Sequence, residues 1–126
     1  MLIFPFSSYG SYVNGDLSKL EVSDVISKND ILTQDIRCPF DELTNIDLRF
    51  IANKNDKSRI KIEINTSDND KILTKIINVS DFADEIFYNV KIPTKKNMKN
   101  KIFHVIISYD YYDINSDLRY VLSNSE

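Results

Sequence analysis

The chain has 126 residues, of which 42% are hydrophobic and 11% aromatic, and its formal net charge is −3. This length predicts one domain with its own core, and the composition excludes an intrinsically disordered chain. A surface that follows nucleic-acid phosphates normally carries an excess of Lys and Arg, so the charge argues against a nucleic-acid partner.

The cysteine content and the lack of long apolar stretches exclude further classes of protein. The single cysteine, Cys38, excludes an intramolecular disulfide and a thiol-ligated metal site, and it is predicted to be a small core residue. No stretch approaches the roughly 18 apolar residues of a membrane span, and residues 1–6 are too short for a signal sequence. We therefore expect a soluble, cytoplasmic domain without membrane insertion. Because Gly and Pro are scarce, its turns are expected to use Asn, Asp and Ser.

The first elements in chain order are an arm and two strands. Residues 1–18 are predicted to form an N-terminal arm, and residues 19–124 a β-sandwich domain. Leu20 to Ile26 suggests a short edge strand. Ile31 to Cys38 is predicted to be a strand, and the residues on one side of it are Leu32, Gln34, Ile36 and Cys38.

The clearest pattern is the alternation of apolar and polar residues in 45–50 and 59–65. Residues on one face of the two predicted strands are Ile46, Leu48 and Phe50 in the first and Ile60, Ile62 and Ile64 in the second. The connector, residues 53–58, is polar and typical of a turn. The two strands are therefore predicted to form a hairpin.

The remaining elements are also predicted to be short. Residues 72–77 form a strand, and residues 79–85 a single helical turn with Ser80 as candidate N-cap. The next strand, which Pro93 is expected to stop, has one face made of Ile86, Tyr88, Val90 and Ile92. Residues 102–109 are apolar on both faces, which favours a central strand covered on both sides, and residues 118–122 form the last strand.

This pattern predicts the fold class. Seven or eight short strands without a long amphipathic helix are typical of an all-β, antiparallel β-sandwich or jelly roll. A parallel α/β fold is disfavoured because the connections are too short for crossover helices.

Several core positions between Ile31 and Asp110 also carry a resemblance. They are Gln34, Phe40, Leu43, residues 45–49, Arg59 with Ile60, Ile62 and Ile64, residues 88–93, and residues 103–108. In these positions the chain resembles β-sandwich domains of bacterial polysaccharide-synthesis proteins, which are often appended to glycosyltransferases and are similar to galactose-binding-like jelly rolls. The resemblance implies an accessory domain that binds or accompanies a glycan. This sequence departs from it in having Asn and Lys at turns, and it has no Trp as a sugar-stacking platform.

Catalytic and metal-binding motifs are weak, and we predict no enzyme, no cofactor and no metal. The only histidine, His104, lies in an apolar run and is interpreted as a core residue hydrogen-bonded to a neighbour. Residues 113–117 offer oxygen ligands at spacings that suit calcium, and so, more weakly, do residues 68–70; turn formation is the favoured explanation for both. A small hydrolase with two acids stays the least favoured alternative, since acids in loops are explained by solvation.

Two polar sets have competing interpretations. Lys95, Lys96, Lys99 and Lys101 form a basic patch that we interpret as a solvated loop in preference to a polyanion site. Gln34 and Arg49 lie within strand-like segments, and a network of the two with carboxylates is interpreted as internal scaffolding in preference to a binding site.

The candidate ligand-binding residues surround the last predicted loop. They are Tyr109, Asp110, Tyr111, Tyr112, Arg119 and Tyr120. Aromatic rings pack against sugar C–H faces while carboxylates and guanidinium groups bond sugar hydroxyls, which suits a carbohydrate partner. The simpler interpretation is that Tyr109 belongs to the core and the others to the rim of an ordinary sandwich. The alternative function is a structural module that self-associates or docks onto a catalytic domain.

Overall fold

The structure, a computed structural model, describes residues 20–68, 70–85 and 87–123. The predicted arm, residues 1–18, lies outside this range, and the domain boundaries stay a prediction. Eight strands are found within the range: β1 (Leu20–Val22), β2 (Leu32–Arg37), β3 (Leu43–Ile51), β4 (Arg59–Thr66), β5 (Lys71–Asn78), β6 (Tyr88–Lys95), β7 (Ile102–Tyr111) and β8 (Arg119–Ser123). A 3-10 turn, Val79–Asp81, follows β5.

The strands form two antiparallel sheets, which confirms the predicted all-β sandwich. The first sheet has the order β1-β8-β3-β6 and the second the order β2-β7-β4-β5. The pairs β1–β8, β2–β7, β3–β6 and β4–β5 are nested in chain order, so the first and last strands lie side by side.

The core lies between the two sheets and is built from the alternating residues. Ile60, Ile62 and Ile64 on β4 are at most 1% exposed, and Ile46 and Leu48 on β3 are fully buried. On β2 the buried residues are Gln34 and Ile36, followed by Cys38 just after the strand, as the period of two predicts. Burial raises the pKa of the Cys38 thiol, which donates a hydrogen bond to the carbonyl of Phe40. Cys38 is therefore an unreactive core residue.

The predicted hairpin between β3 and β4 is wrong. β3 pairs with β6 and β8 in the first sheet, whereas β4 pairs with β5 and β7 in the second. The polar connector at 52–58 crosses from one sheet to the other. Alternation fixes which face of a strand is buried, but it carries no information about the neighbouring strand.

Proline does not end the sixth strand. β6 continues through Pro93 to Lys95, and this is possible because β6 is an edge strand whose free side needs no N–H at that position. Val90 and Ile92 are buried as predicted, and Ile86 lies outside the described residues. The edge strand β5 has a lysine on its inner side, which hinders pairing of this edge with another chain. Lys75 lies opposite Ile62 on that side, and its Nζ is 5.4 Å from the centre of the Tyr88 ring.

β7 is central, as predicted, but its outer face is only partly covered. It lies between β2 and β4, with Phe103, Val105 and Ile107 buried. His104 lies on the outer face with its side chain 25% exposed, and its Nδ1 is 2.5 Å from Asp35 Oδ1. The predicted bond to a neighbour is therefore present, but the histidine is not a core residue. The helical turn is also present, with Asn78 in place of Ser80 as N-cap.

One polar contact crosses the core between the sheets. The hydroxyl of Tyr120 on β8 donates to Gln34 Oε1 on β2 over 3.1 Å, and Tyr120 is 1% exposed. Gln34 therefore serves as scaffolding, although the predicted partnership with Arg49 is wrong. The Arg49 guanidinium instead lies 5.9 Å from the centre of the Phe87 ring.

Replacing Tyr120 by phenylalanine is expected to lower the free energy of unfolding by about 1–2 kcal/mol, because the buried Gln34 oxygen loses its donor. The double variant Tyr120→Phe/Gln34→Leu should be more stable than Tyr120→Phe alone, since it removes the unsatisfied amide. Urea denaturation measures both. Equal stabilities for the single and double variants would show that the contact contributes nothing.

Candidate functional site

Four loops meet at one end of the sandwich, here called the tyrosine end: residues 23–31, 52–58, 79–85 and 112–118. The Val79 N–H donates to the Ser58 carbonyl over 3.0 Å, and Lys54 Nζ lies 2.9 Å from Asp84 Oδ2. The Tyr109 hydroxyl donates to the Ile26 carbonyl over 2.9 Å. The loop at 112–118 is joined to two of the others, since the Ile26 N–H donates to the Leu118 carbonyl over 2.8 Å and the Lys57 N–H to Asp113 Oδ2 over 3.0 Å. All four loops therefore form one surface.

A buried network fixes the β3–β4 loop against the β7–β8 loop. The carboxylate of Asp56, a residue 4% exposed, accepts the Ser58 N–H over 2.9 Å and the Ser116 hydroxyl over 2.5 Å. Ser116 Oγ also lies 3.1 Å from the Tyr109 hydroxyl. Burial raises the pKa of that hydroxyl, and the charge of Asp56 acts in the same direction. Tyr109 therefore stays protonated and remains a donor at neutral pH.

Asp113 binds the same two loops together from the solvent side. Its Oδ1 accepts the Asn115 N–H over 3.1 Å and its Oδ2 the Lys57 N–H over 3.0 Å, while its own N–H donates to Ser58 Oγ. The bonds from the backbone of Lys57 and Asn115 lower the pKa of the carboxyl group below its ordinary value. Both oxygens of Asp113 thus shape the loops, as turn formation at 113–117 predicts.

Between these two loops lies a cleft of about 260 Å³. Its walls are formed by Asn53, Asn55, Asp56, Lys57, Asp113 and Asn115. The side-chain amides of Asn55 and Asn115 and the ammonium group of Lys57 form no hydrogen bond or ion pair with any other described residue. The cleft therefore presents free polar groups on loops that are held by their backbone.

A β-bulge forms the rim beside this cleft. Ile60 pairs with Tyr109 but Arg59 pairs with Tyr111, so Asp110 is the extra residue of β7. The bulge leaves Tyr109 on the inner side and brings both Asp110 and Tyr111 next to Arg59. Arg59 Nε lies 3.2 Å from Asp110 Oδ2, and its guanidinium carbon 5.6 Å from the centre of the Tyr111 ring. Tyr111 is 52% exposed and is held in place by this contact.

The predicted site residues fall into separate environments. Asp110 and Tyr111 lie together beside Arg59, whereas Tyr109 lies on the inner side of the strand, where its ring meets that of Tyr112 edge to face with centres 4.9 Å apart. Tyr120 does not belong to a surface site, because it is buried in the core with its hydroxyl bonded to Gln34. Arg119 lies on β8 in the first sheet, and its guanidinium donates to the Ser23 carbonyl over 3.2 Å.

Most of the cleft was not predicted from the sequence. Asn53, Asn55 and Lys57 were interpreted only as turn residues, and Asn115 as a turn residue in preference to a calcium ligand. The signal that was present is the density of Asn, Asp and Ser in both 53–58 and 113–117, because two such loops facing each other form a polar cleft. Nothing in either segment indicates that they face each other, since β3 and β8 are neighbours in space but distant in the chain.

Two general properties bear on the class of site. In the part of the chain that the structure describes, no helix has the length and apolar character needed to cross a bilayer. Within the same ranges, no three His, Cys, Asp or Glu side chains cluster in a way that suits a metal ion.

No family model, no curated protein and no solved structure matches this chain.

Proposed function

We propose that this chain is a non-catalytic accessory domain that binds a glycan in the cleft between the β3–β4 and β7–β8 loops. The observation that carries the proposal is the set of free donors, on Asn55, Asn115 and Lys57, fixed on loops that are held by the buried Asp56 network. Because the loops are already ordered, a ligand would not have to offset the entropy of ordering them. By the resemblance to polysaccharide-synthesis proteins, we further propose that the domain belongs to a protein of cell-surface polysaccharide biosynthesis.

The chemistry of the cleft and its rim suits a saccharide. Sugar hydroxyls act as both donors and acceptors, and amide side chains such as those of Asn55 and Asn115 match both roles. The sugar ring also has apolar C–H faces, for which the exposed ring of Tyr111 offers a flat partner. The Arg59 guanidinium contacts that ring and favours this orientation of it, which lowers the entropy cost of stacking a sugar on it.

The carboxylates at the cleft support binding over hydrolysis. Glycoside hydrolysis needs one carboxyl group that can donate a proton and another that can act as base or nucleophile. Asp113 has a lowered pKa and accepts two backbone N–H groups, so it is a poor proton donor. Asp56 is buried and already accepts the Ser58 N–H and the Ser116 hydroxyl.

Alanine at Asn55, Asn115 or Tyr111 is expected to weaken glycan binding by about fivefold each, since each loses one hydrogen bond or stacking contact of about 1 kcal/mol. Their stability should change little, because the side-chain amides of Asn55 and Asn115 make no bond within the described residues. The measurement is a glycan array followed by calorimetric titration of the saccharide retained. Thr74→Ala, an exposed change on β5, is the matched control. The proposal fails if the array retains no saccharide, or if the three variants bind as the wild type does.

A structural module that self-associates or docks onto a catalytic domain is the second candidate. The feature that favours it is the free edge of β2, which lacks the proline of β6 and the inward lysine of β5 and is preceded by Ile31, which is 68% exposed. Light scattering separates the two functions. A concentration-independent monomer with saccharide affinity supports the glycan-binding domain, and a stable oligomer without such affinity supports the module.

A further inference from the structure

The opposite end of the sandwich, here called the lysine end, carries a second, differently charged cleft. The β6–β7 loop at 96–101 is fixed there against the β2–β3 loop. The Met98 N–H donates to the Asp41 carbonyl over 2.8 Å, and the Asn100 N–H to the Cys38 carbonyl over 2.7 Å. Met98 is 4% exposed and anchors the loop in the core. The loop is therefore held in place both by its backbone hydrogen bonds and by its one apolar side chain.

Two residues of this loop adopt a backbone conformation that most residues avoid. Asn97 and Asn100 have φ angles of 62° and 64°, in the left-handed region. Asparagine tolerates this region better than other residues with a Cβ, and non-Gly residues held there concentrate at ligand-binding and active sites. The two left-handed turns bend the chain sharply enough for Lys95, Lys96 and Lys101 to line the same cleft.

The cleft has a volume of about 210 Å³ and two chemically distinct walls. One wall has Lys95, Lys96 and Lys101, and Lys99 follows in the same loop. The other wall, from the β4–β5 turn, has Thr66, Ser67, Asp68 and Asp70. Lys95, Lys96 and Lys101 are not within ion-pair distance of any acid in the described ranges. The three ammonium groups therefore form no salt bridge within this part of the protein, and their charges exceed those of the two aspartates across the cleft.

We propose that this cleft binds an anionic sugar unit, with the carboxylate or phosphate of the sugar at the lysines and its hydroxyls at Asp68 and Asp70. Three ammonium groups exceed two carboxylates, so the cleft favours a compact anion. The acidic wall accepts hydrogen bonds from hydroxyls, of which a sugar unit has several around its ring, whereas inorganic phosphate has only its own acid protons. That same wall disfavours a nucleic-acid strand, because the phosphates of the strand would lie near the two aspartates and be repelled by them. The small volume admits one sugar unit at a time, since pockets for drug-sized ligands begin at about 300 Å³.

The cleft at the lysine end shares no residue with the cleft at the tyrosine end, so failure of binding at one leaves the proposal for the other unaffected. The test is titration of the protein with glucuronate, glucose 6-phosphate, glucose and inorganic phosphate, followed by NMR chemical shifts of residues 95–101 at low ionic strength. Glucuronate or glucose 6-phosphate should saturate these shifts, and glucose should not. Which of the two binds more tightly distinguishes a carboxylate from a phosphate as the source of the charge.

Two variants localise the binding. Lys95→Gln/Lys101→Gln is expected to weaken binding of the sugar anion at least tenfold, whereas Lys28→Gln/Lys91→Gln, which removes the same charge elsewhere, should change it less than twofold. Asp68→Asn/Asp70→Asn should raise the affinity for inorganic phosphate but lower the preference for the sugar anion over it. Absence of saturable binding, equal losses in both lysine pairs, or tighter binding of single-stranded DNA than of glucuronate would each overturn the proposal.

Discussion

Replacing Ile62 by alanine is expected to lower the free energy of unfolding by about 3–4 kcal/mol. Ile62 is fully buried at the middle of β4, with β5 on one side and β7 on the other. The substitution removes buried methyl and methylene groups and leaves a cavity that neighbouring strands cannot fill, which is the origin of a cost of this size. Domains of this length have about 5–15 kcal/mol of stability, so the variant should unfold at a much lower urea concentration.

Glu63→Ala is the matched control for that experiment. Glu63 is the next residue on β4, lies on the outer face, and forms an ion pair with Lys61 at 3.3 Å. A partly exposed pair of this kind contributes less than about 1 kcal/mol. If the two variants lose similar stability, then Ile62 does not lie on a buried face of β4 with Glu63 on an exposed one, and the two-layer core is wrong.

The faces of the strands were predictable from the sequence because side-chain direction alternates with every residue. Ile46, Leu48, Ile60, Ile62 and Ile64 needed no information beyond their spacing, and all five are buried. The pairing of strands was not predictable in the same way. β3 lies beside β8, some seventy residues later in the chain, and nothing local to either strand encodes that choice.

The site was harder to predict than the core for two physical reasons. A single bulge at Asp110 reverses the alternation, so Tyr109 and Tyr111 point to opposite sides although their spacing predicts the same side. Tyr120 was assigned to the site because it stands next to the last predicted loop, yet its hydroxyl donates to Gln34 inside the core. The use of asparagine at tight turns was predictable, because glycine is scarce in this sequence. Asn97 and Asn100, which have positive φ angles, confirm it.

Asp56→Ala is expected to have the other large effect, and it acts on both stability and binding. The substitution removes the acceptor of the Ser58 N–H and of the Ser116 hydroxyl, in residues that are 0% and 8% exposed, and leaves the hydroxyl only Tyr109 as a partner. Loss of two buried hydrogen bonds to a charged acceptor costs about 2–4 kcal/mol in total. Since Asp56 also ties the two loops of the cleft, saccharide affinity should fall in the same variant even where it remains folded.

Three further measurements separate this mechanism from a general loss of stability. Asp117→Ala, an exposed acid in the same β7–β8 loop, should change the free energy of unfolding by less than about 0.5 kcal/mol. Asp56→Ala/Ser116→Ala should lose less than the sum of its single variants, because both single variants remove the same hydrogen bond between Ser116 and the carboxylate. Native-state hydrogen exchange should show the Ser58 amide losing protection in Asp56→Ala ahead of the amides of β4. Unchanged protection at Ser58 would mean that the carboxylate does not hold the loop, and the basis for a preformed cleft would be lost with it.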